Sequence, residues 1–173
     1  MRHGLLMVHT GEGKGKTTAA LGMALRAAGH GMRVLVLQFI KGNRPTGELQ
    51  ALRLLPGVEA ETLGSGFTWR KESLDEDREL ARKGWELART AIRDNRYDMI
   101  VLDELNVVLS KGLLPEETVL EDLRRRPDSL HVVVTGRGAP PALTDLADLV
   151  TEMRSVKHPY RDQGVKAQKG VEF

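Results

Sequence analysis

The sequence has no cysteine, which excludes disulfide staples, thiolate metal sites and a cysteine nucleophile. Aromatic residues are scarce, at 4% of the chain, with two tryptophans among 173 residues. The core must therefore be aliphatic, and an aromatic set in a loop calls for an explanation. No apolar run approaches the ~18–20 residues of a membrane span, and the first residues lack a secretory pattern. Neither charge sign dominates: 26 Lys and Arg against 24 Asp and Glu leave a net charge of +2. That surplus is too small to argue for a nucleic-acid partner. The five histidines show no metal-ligand spacing. What remains is one domain over residues 1–173, without repeats or low-complexity linkers and long enough to bury a core. A cytoplasmic enzyme with no nucleic-acid or membrane partner is expected.

Ten residues dominate what is present: Val8-His9-Thr10-Gly11-Glu12-Gly13-Lys14-Gly15-Lys16-Thr17. An apolar run, Leu5 to Val8, precedes them, and Thr18-Ala19-Ala20-Leu21 follows, which reads as strand, glycine-rich turn and helix. Glycines allow several backbone N–H groups to face one anion, and the helix adds its unpaired N-terminal donors and dipole. Lys16 offers a mobile charge for phosphate oxygens, and Thr17 a hydroxyl for Mg²⁺. The phosphate-loop pattern is met except at its first glycine, where Thr10 stands.

The following helix, 17–28, is apolar nearly all round and is expected to be buried against a sheet, with Arg26 as its one charge. From residue types alone Arg26 reads as a surface arginine near a helix end. Val34 to Phe39 reads as a strand covered on both faces, and Lys41 to Gly47 as a loop at its carboxyl end. A short helix, 48–55, leads to an alternating edge strand, 58–63. The stretch Leu63 to Arg70 places Phe67 and Trp69 just after Gly64 and Gly66, either as a flat surface for a planar ligand or as a hydrophobic plug. Asp75 to Asn95 reads as a long amphipathic helix with Ala81, Trp85, Ala88 and Ile92 on its inner face.

Tyr97 to Leu102 is a buried strand ending in Asp103-Glu104, which brings two carboxylates to the edge where the glycine loop lies. One of them is expected to order Mg²⁺ beside Thr17. A helix at 116–126, a strand from Leu130 ending in Thr135-Gly136-Arg137-Gly138, a helix at 142–147 and a strand at 149–153 complete the pattern. Arg137 would stand at the same edge within reach of phosphates. The polar tail, 154–173, either frays or folds over the site. Strand and helix alternate, which predicts an α/β, P-loop NTPase-like fold: a doubly wound, mostly parallel sheet of about six strands with helices on both faces. Loop and carboxylates alone leave phosphoryl transfer, conformational ATPase work and rarer uses of ATP all open.

Several further stretches resemble one family, the ATP:corrinoid adenosyltransferases. They are His9 to Thr18, Val36-Leu37-Gln38-Phe39-Ile40-Lys41-Gly42, Gly66-Phe67-Thr68-Trp69, Val101 to Leu105, Val134 to Gly138, Val156 to Tyr160 and Gly164 to Gln168. The resemblance implies transfer of the 5′-deoxyadenosyl group of ATP to cobalt(I) of cobalamin or a corrinoid precursor, with release of triphosphate. It implies that Thr10, Gly11, Glu12, Gly13, Lys14, Gly15, Lys16, Thr17 and Thr18 bind ATP, with Arg26 at the nucleoside end and Arg137 on phosphate. Thr17 and Glu104, with Asp103, would hold Mg²⁺; Lys16 and Glu104 would serve catalysis. Phe67 and Trp69 would face the corrin and displace its lower ligand, and Lys157 is carried over as a further site residue. A homodimer and an electron-donating reductase are also implied. The strand starts at Leu5, so the extra N-terminal segment that often covers a neighbouring subunit's site in this family is expected to be missing. The alternative is an ordinary P-loop NTPase or kinase that cleaves the γ-phosphate.

Overall fold

The computed structural model describes residues 3–40, 46–63 and 75–172. Its strands are β1 (Leu6–Thr10), β2 (Val34–Gln38), β3 (Val58–Thr62), β4 (Met99–Asp103), β5 (His131–Thr135) and β6 (Leu149–Glu152). They form one sheet in the order β3-β2-β4-β5-β1-β6, and every pairing is parallel. The helices are α1 (Lys16–Gly29), α2 (Gly47–Leu52), α3 (Asp75–Asp94), α4 (Leu105–Ser110), α5 (Glu116–Arg124), α6 (Pro141–Leu146) and α7 (Pro159–Gln163).

The central strands are apolar on both faces because each face is covered. On one face Leu6, Val8, Leu35, Leu37, Ile100, Leu102, Val132 and Val134 pack with α3, α4 and α5. On the other, Met7, Val34, Val36, Val101 and Val133 pack with α1. Trp85 and the Ala81, Ala88 and Ile92 stripe of α3 are buried, as the spacing predicted. β3 is the predicted edge strand, its two glutamates facing solvent.

Three expectations are corrected. Helix α1 is buried on one face only, through Ala20, Leu21, Ala24 and Ala27, whereas Leu25 and Arg26 face solvent. Its small apolar residues satisfy both environments, so composition did not mark the outer face. Helix α4 is an unpredicted single short helix that starts directly after Glu104. Helix α7, also unpredicted, begins at His158, whose ring accepts from the N–H groups of Tyr160 and Arg161. Among the described residues, no helix is long and apolar enough to cross a membrane.

Candidate active site

Alternation along β2, β4, β5 and β1 sets one residue of each on the α1 side at the carboxyl edge: Gln38, Asp103, Thr135 and His9. This polar row lies where α1 begins, and it is buried throughout. Asp103 is its centre. Its Oδ1 accepts from the hydroxyls of Thr17 at 2.8 Å and Thr135 at 2.7 Å, and its Oδ2 accepts from the Gln38 amide at 3.1 Å. The Thr135 hydroxyl in turn accepts the Glu104 N–H at 2.9 Å. Asp103 thus sits behind Thr17, fully buried, and Glu104 reaches the pocket wall instead.

Glu104 adopts a left-handed backbone, φ 65° and ψ 15°, a conformation L-residues visit sparingly and one that recurs at functional sites. The turn throws its side chain over Gly136. A Cβ at Gly136 would stand 3.3 Å from a Glu104 carboxylate oxygen and 3.0 Å from the Asn106 side chain. Only glycine leaves that space and tolerates the φ of 127° found there. Asn106, in the first turn of α4, donates to the carbonyls of Gly136 at 2.9 Å and His9 at 3.3 Å. It thereby ties the end of β1 to the turn that carries Arg137.

The phosphate loop is packed from behind by the chain that leaves β6. Gly13 N–H donates to Met153 O at 2.6 Å, and a Cβ on Gly13 would stand 2.7 Å from that oxygen. Thr10, in place of the first glycine, uses its hydroxyl to accept the Ala139 N–H at 3.2 Å. The departure from the motif is thus a fastening between the loop and the Arg137 turn. Lys16 is buried and donates to the carbonyls of Gly11 at 2.7 Å and Gly13 at 2.6 Å. Burial lowers its pKa, Arg137 lowers it further, and Glu104 and Glu12 oppose both. Burial also holds His9 below the ordinary imidazole value, and neither ring nitrogen has a hydrogen-bond partner among the described residues.

Gly13, Lys14, Gly15, Lys16, Thr17 and Thr18 share a cavity of about 310 Å³ with Glu48, Glu104, Arg137, Val171 and Glu172. Arg137 pairs with Glu12 at 3.4 Å, and Lys14 pairs with Glu172. Arg26 does not line this cavity; ten residues along α1 from Lys16, it lies roughly 15 Å away along the axis at 1.5 Å per residue. Phe67 and Trp69 lie outside the described residues. Sequence reading missed Thr135, Gln38, Asn106 and Glu172. In the sequence Thr135 and Gln38 are ordinary members of longer strand stretches, and strand register, which pairs Gln38 with Asp103, is what gives them a role.

Residues 2–173 match the family described as ATP:corrinoid adenosyltransferase BtuR/CobO/CobP. The chain belongs to that family. It is 48% identical over 171 residues to a corrinoid adenosyltransferase of Pseudomonas aeruginosa, covering 98% of this chain and 84% of that one. It is 45% identical over 170 residues to the corrinoid adenosyltransferase of Escherichia coli K12, covering 98% and 86%. In structure it resembles the flagellar accessory protein FlaH of Methanocaldococcus jannaschii, with a TM-score of 0.61 at 12% identity over 88% of this chain and 72% of that one. That likeness concerns the fold alone, a P-loop NTPase-like α/β sheet.

Proposed function

We propose that this adenosyltransferase holds the triphosphate of ATP in the loop cavity while cobalt(I) of a corrinoid attacks the ribose 5′-carbon. As a family member the chain adenosylates a corrinoid with ATP. The cobalt–carbon bond forms with the electron pair of cobalt(I), and the carbon–oxygen bond breaks with its pair leaving on triphosphate. Cobalt(I) carries no proton, so no general base is required. The chain's task is to stabilise charge on the leaving group. Lys16 now donates to two loop carbonyls, and phosphate oxygens would compete for the same protons. The loop N–H groups and Arg137 add donors around the cavity.

One observation carries the metal reading. Thr17 gives its hydroxyl proton to Asp103, which leaves the oxygen lone pairs free to face a cation. A hydroxyl and the Glu104 carboxylate are hard oxygen donors of the kind Mg²⁺ accepts, with the other positions left to phosphate and water. Thr17 and Glu104 would hold Mg²⁺, and Asp103 would orient Thr17 from behind. Bound there, Mg²⁺ would neutralise part of the charge on the leaving triphosphate.

Phe67 and Trp69 are proposed to face the corrin and displace its lower ligand, and Arg26 to serve the nucleoside end. The tail, 154–173, is proposed to cover the site, which the pairing of Glu172 with Lys14 supports. A homodimer, a cytoplasmic location and an electron-donating reductase complete the reading. Incubation with ATP, Mg²⁺ and chemically reduced corrinoid tests it, following the corrinoid spectrum and free triphosphate. Release of ADP and phosphate without a change in the corrinoid spectrum would overturn it in favour of γ-phosphate cleavage. For the aromatic pair, Phe67→Ala and Trp69→Ala are expected to lose far more activity starting from cobalt(II) than from cobalt(I).

A further inference from the structure

We propose that Thr135 is a positioning residue that couples the two arms of the metal site, Thr17 and Glu104, through one hydroxyl. The inference rests on the assignment of those two residues to Mg²⁺ made above. Thr135 is fully buried at the carboxyl end of β5. Its oxygen accepts the Glu104 N–H at 2.9 Å, and its proton goes to Asp103 Oδ1 at 2.7 Å. The same Oδ1 receives the Thr17 hydroxyl at 2.8 Å. A continuous path of three hydrogen bonds therefore runs from Thr17 through Asp103 and Thr135 to the backbone of Glu104.

The chemistry of the path fixes its direction. A carboxylate can only accept, so both hydroxyls must donate to Asp103. The Thr135 proton being so committed, its lone pairs are what remain for the Glu104 N–H. That bond forms at the residue whose backbone is left-handed, φ 65°. It falls at the first turn of α4, where an N–H has no partner within the helix. Holding it keeps Glu104 in the conformation that sends its carboxylate over Gly136 and into the cavity wall. One hydroxyl thus joins the Gln38 amide on Oδ2 in holding the rotamer of Asp103, hence the lone-pair direction of Thr17, and it also holds the backbone of Glu104.

The test compares Thr135→Val, which keeps the shape and removes the hydroxyl, with Thr135→Ser, which keeps the hydroxyl and removes a methyl. The readout is Mn²⁺ binding to the protein–ATP complex by electron paramagnetic resonance, with ATP binding in EDTA measured beside it. Thr135→Val is expected to weaken Mn²⁺ binding about 10–100-fold, the usual scale for a partner behind a metal ligand. ATP binding in EDTA is expected to stay near that of the unaltered protein, and Thr135→Ser is expected to restore most of the Mn²⁺ affinity. A space-filling role predicts the reverse order, with valine harmless and serine the worse, and that result overturns the proposal. Glu104→Gln is run in parallel. Loss of Mn²⁺ affinity in Glu104→Gln but not in Thr135→Val overturns the role of Thr135 alone. Unchanged Mn²⁺ affinity in Glu104→Gln overturns the metal assignment and the coupling with it.

Discussion

Three exposed carboxylates on α3 and the buried carboxylate at the end of β4 are held in opposite ways. On α3, Glu79 pairs with Arg82 at 2.9 Å, Glu86 with Arg89, and Asp75 with Arg78 at 3.3 Å, each three residues apart and exposed. Asp103 is buried, and its partners Gln38, Thr17 and Thr135 come from 65, 86 and 32 residues away. The α3 pairs are local and wet, so each contributes little and none depends on the fold. The Asp103 cluster exists only when three strands and the phosphate loop have met, and it is desolvated. A count of ion pairs would single out α3 as the important region; the network of neutral donors marks the site.

The comparison breaks most sharply at Lys16. Lys16→Ala is expected to abolish turnover and to weaken ATP binding, since a charge-assisted hydrogen bond contributes about 1.5–3 kcal/mol before any gain in the transition state. Steady-state kinetics and equilibrium ATP binding check this, and near-normal kcat would remove the loop from the chemistry. Asp103→Ala comes next. It strands the buried Thr135 hydroxyl and Gln38 amide, at about 1–3 kcal/mol for each group left unpaired, while the half-buried Thr17 hydroxyl can turn to water. A fall in melting temperature of roughly 10 °C is expected, together with a raised Mg²⁺ requirement; a melt and a Mg²⁺ titration read both.

A smaller effect belongs to His9. Its folded pKa is lowered by burial, so the unfolded chain binds the proton more readily. Stability is therefore complete above the unfolded imidazole pKa of about 6.5 and declines as pH falls from there through the lower folded value. Replacing His9 with phenylalanine is expected to flatten that limb of the stability–pH curve, and an unchanged limb would assign the decline to other groups. Smallest of all, Glu79→Ala on α3 is expected to shift the melting temperature too little to resolve. A clear loss there would show that the surface pairs matter after all.

Much of this contrast is legible in the sequence. The loop from Thr10 to Thr18 and the strand ending in Asp103-Glu104 each carry their meaning in contiguous residues, so the edge that holds the site could be named. From residue types and spacing alone the roles of Asp103 and Glu104 stay open; only the family resemblance puts Glu104 beside Thr17. Their division of labour depends on a left-handed turn at Glu104 and on which strands neighbour β4, and neither is written in local residue order. Thr135 is an ordinary strand threonine until register sets it beside Asp103. Asn106 falls in an apolar run too short to announce α4 by periodicity. Thr10 read as a flawed motif position because its partner, the Ala139 N–H, lies 129 residues away.

The sheet order also bears on how the protein comes into being. β1, the first of the six described strands in chain order, pairs with β5 and β6, the last two of the six, and the loop it feeds is braced by Met153. During synthesis the loop therefore emerges well before the strands and the Met153 brace that shape it. The loop is therefore expected to take its described shape only after residue 153 has emerged. A nucleotide bound in that loop would then favour chains in which the Met153 brace has formed, as any ligand of the folded state favours that state.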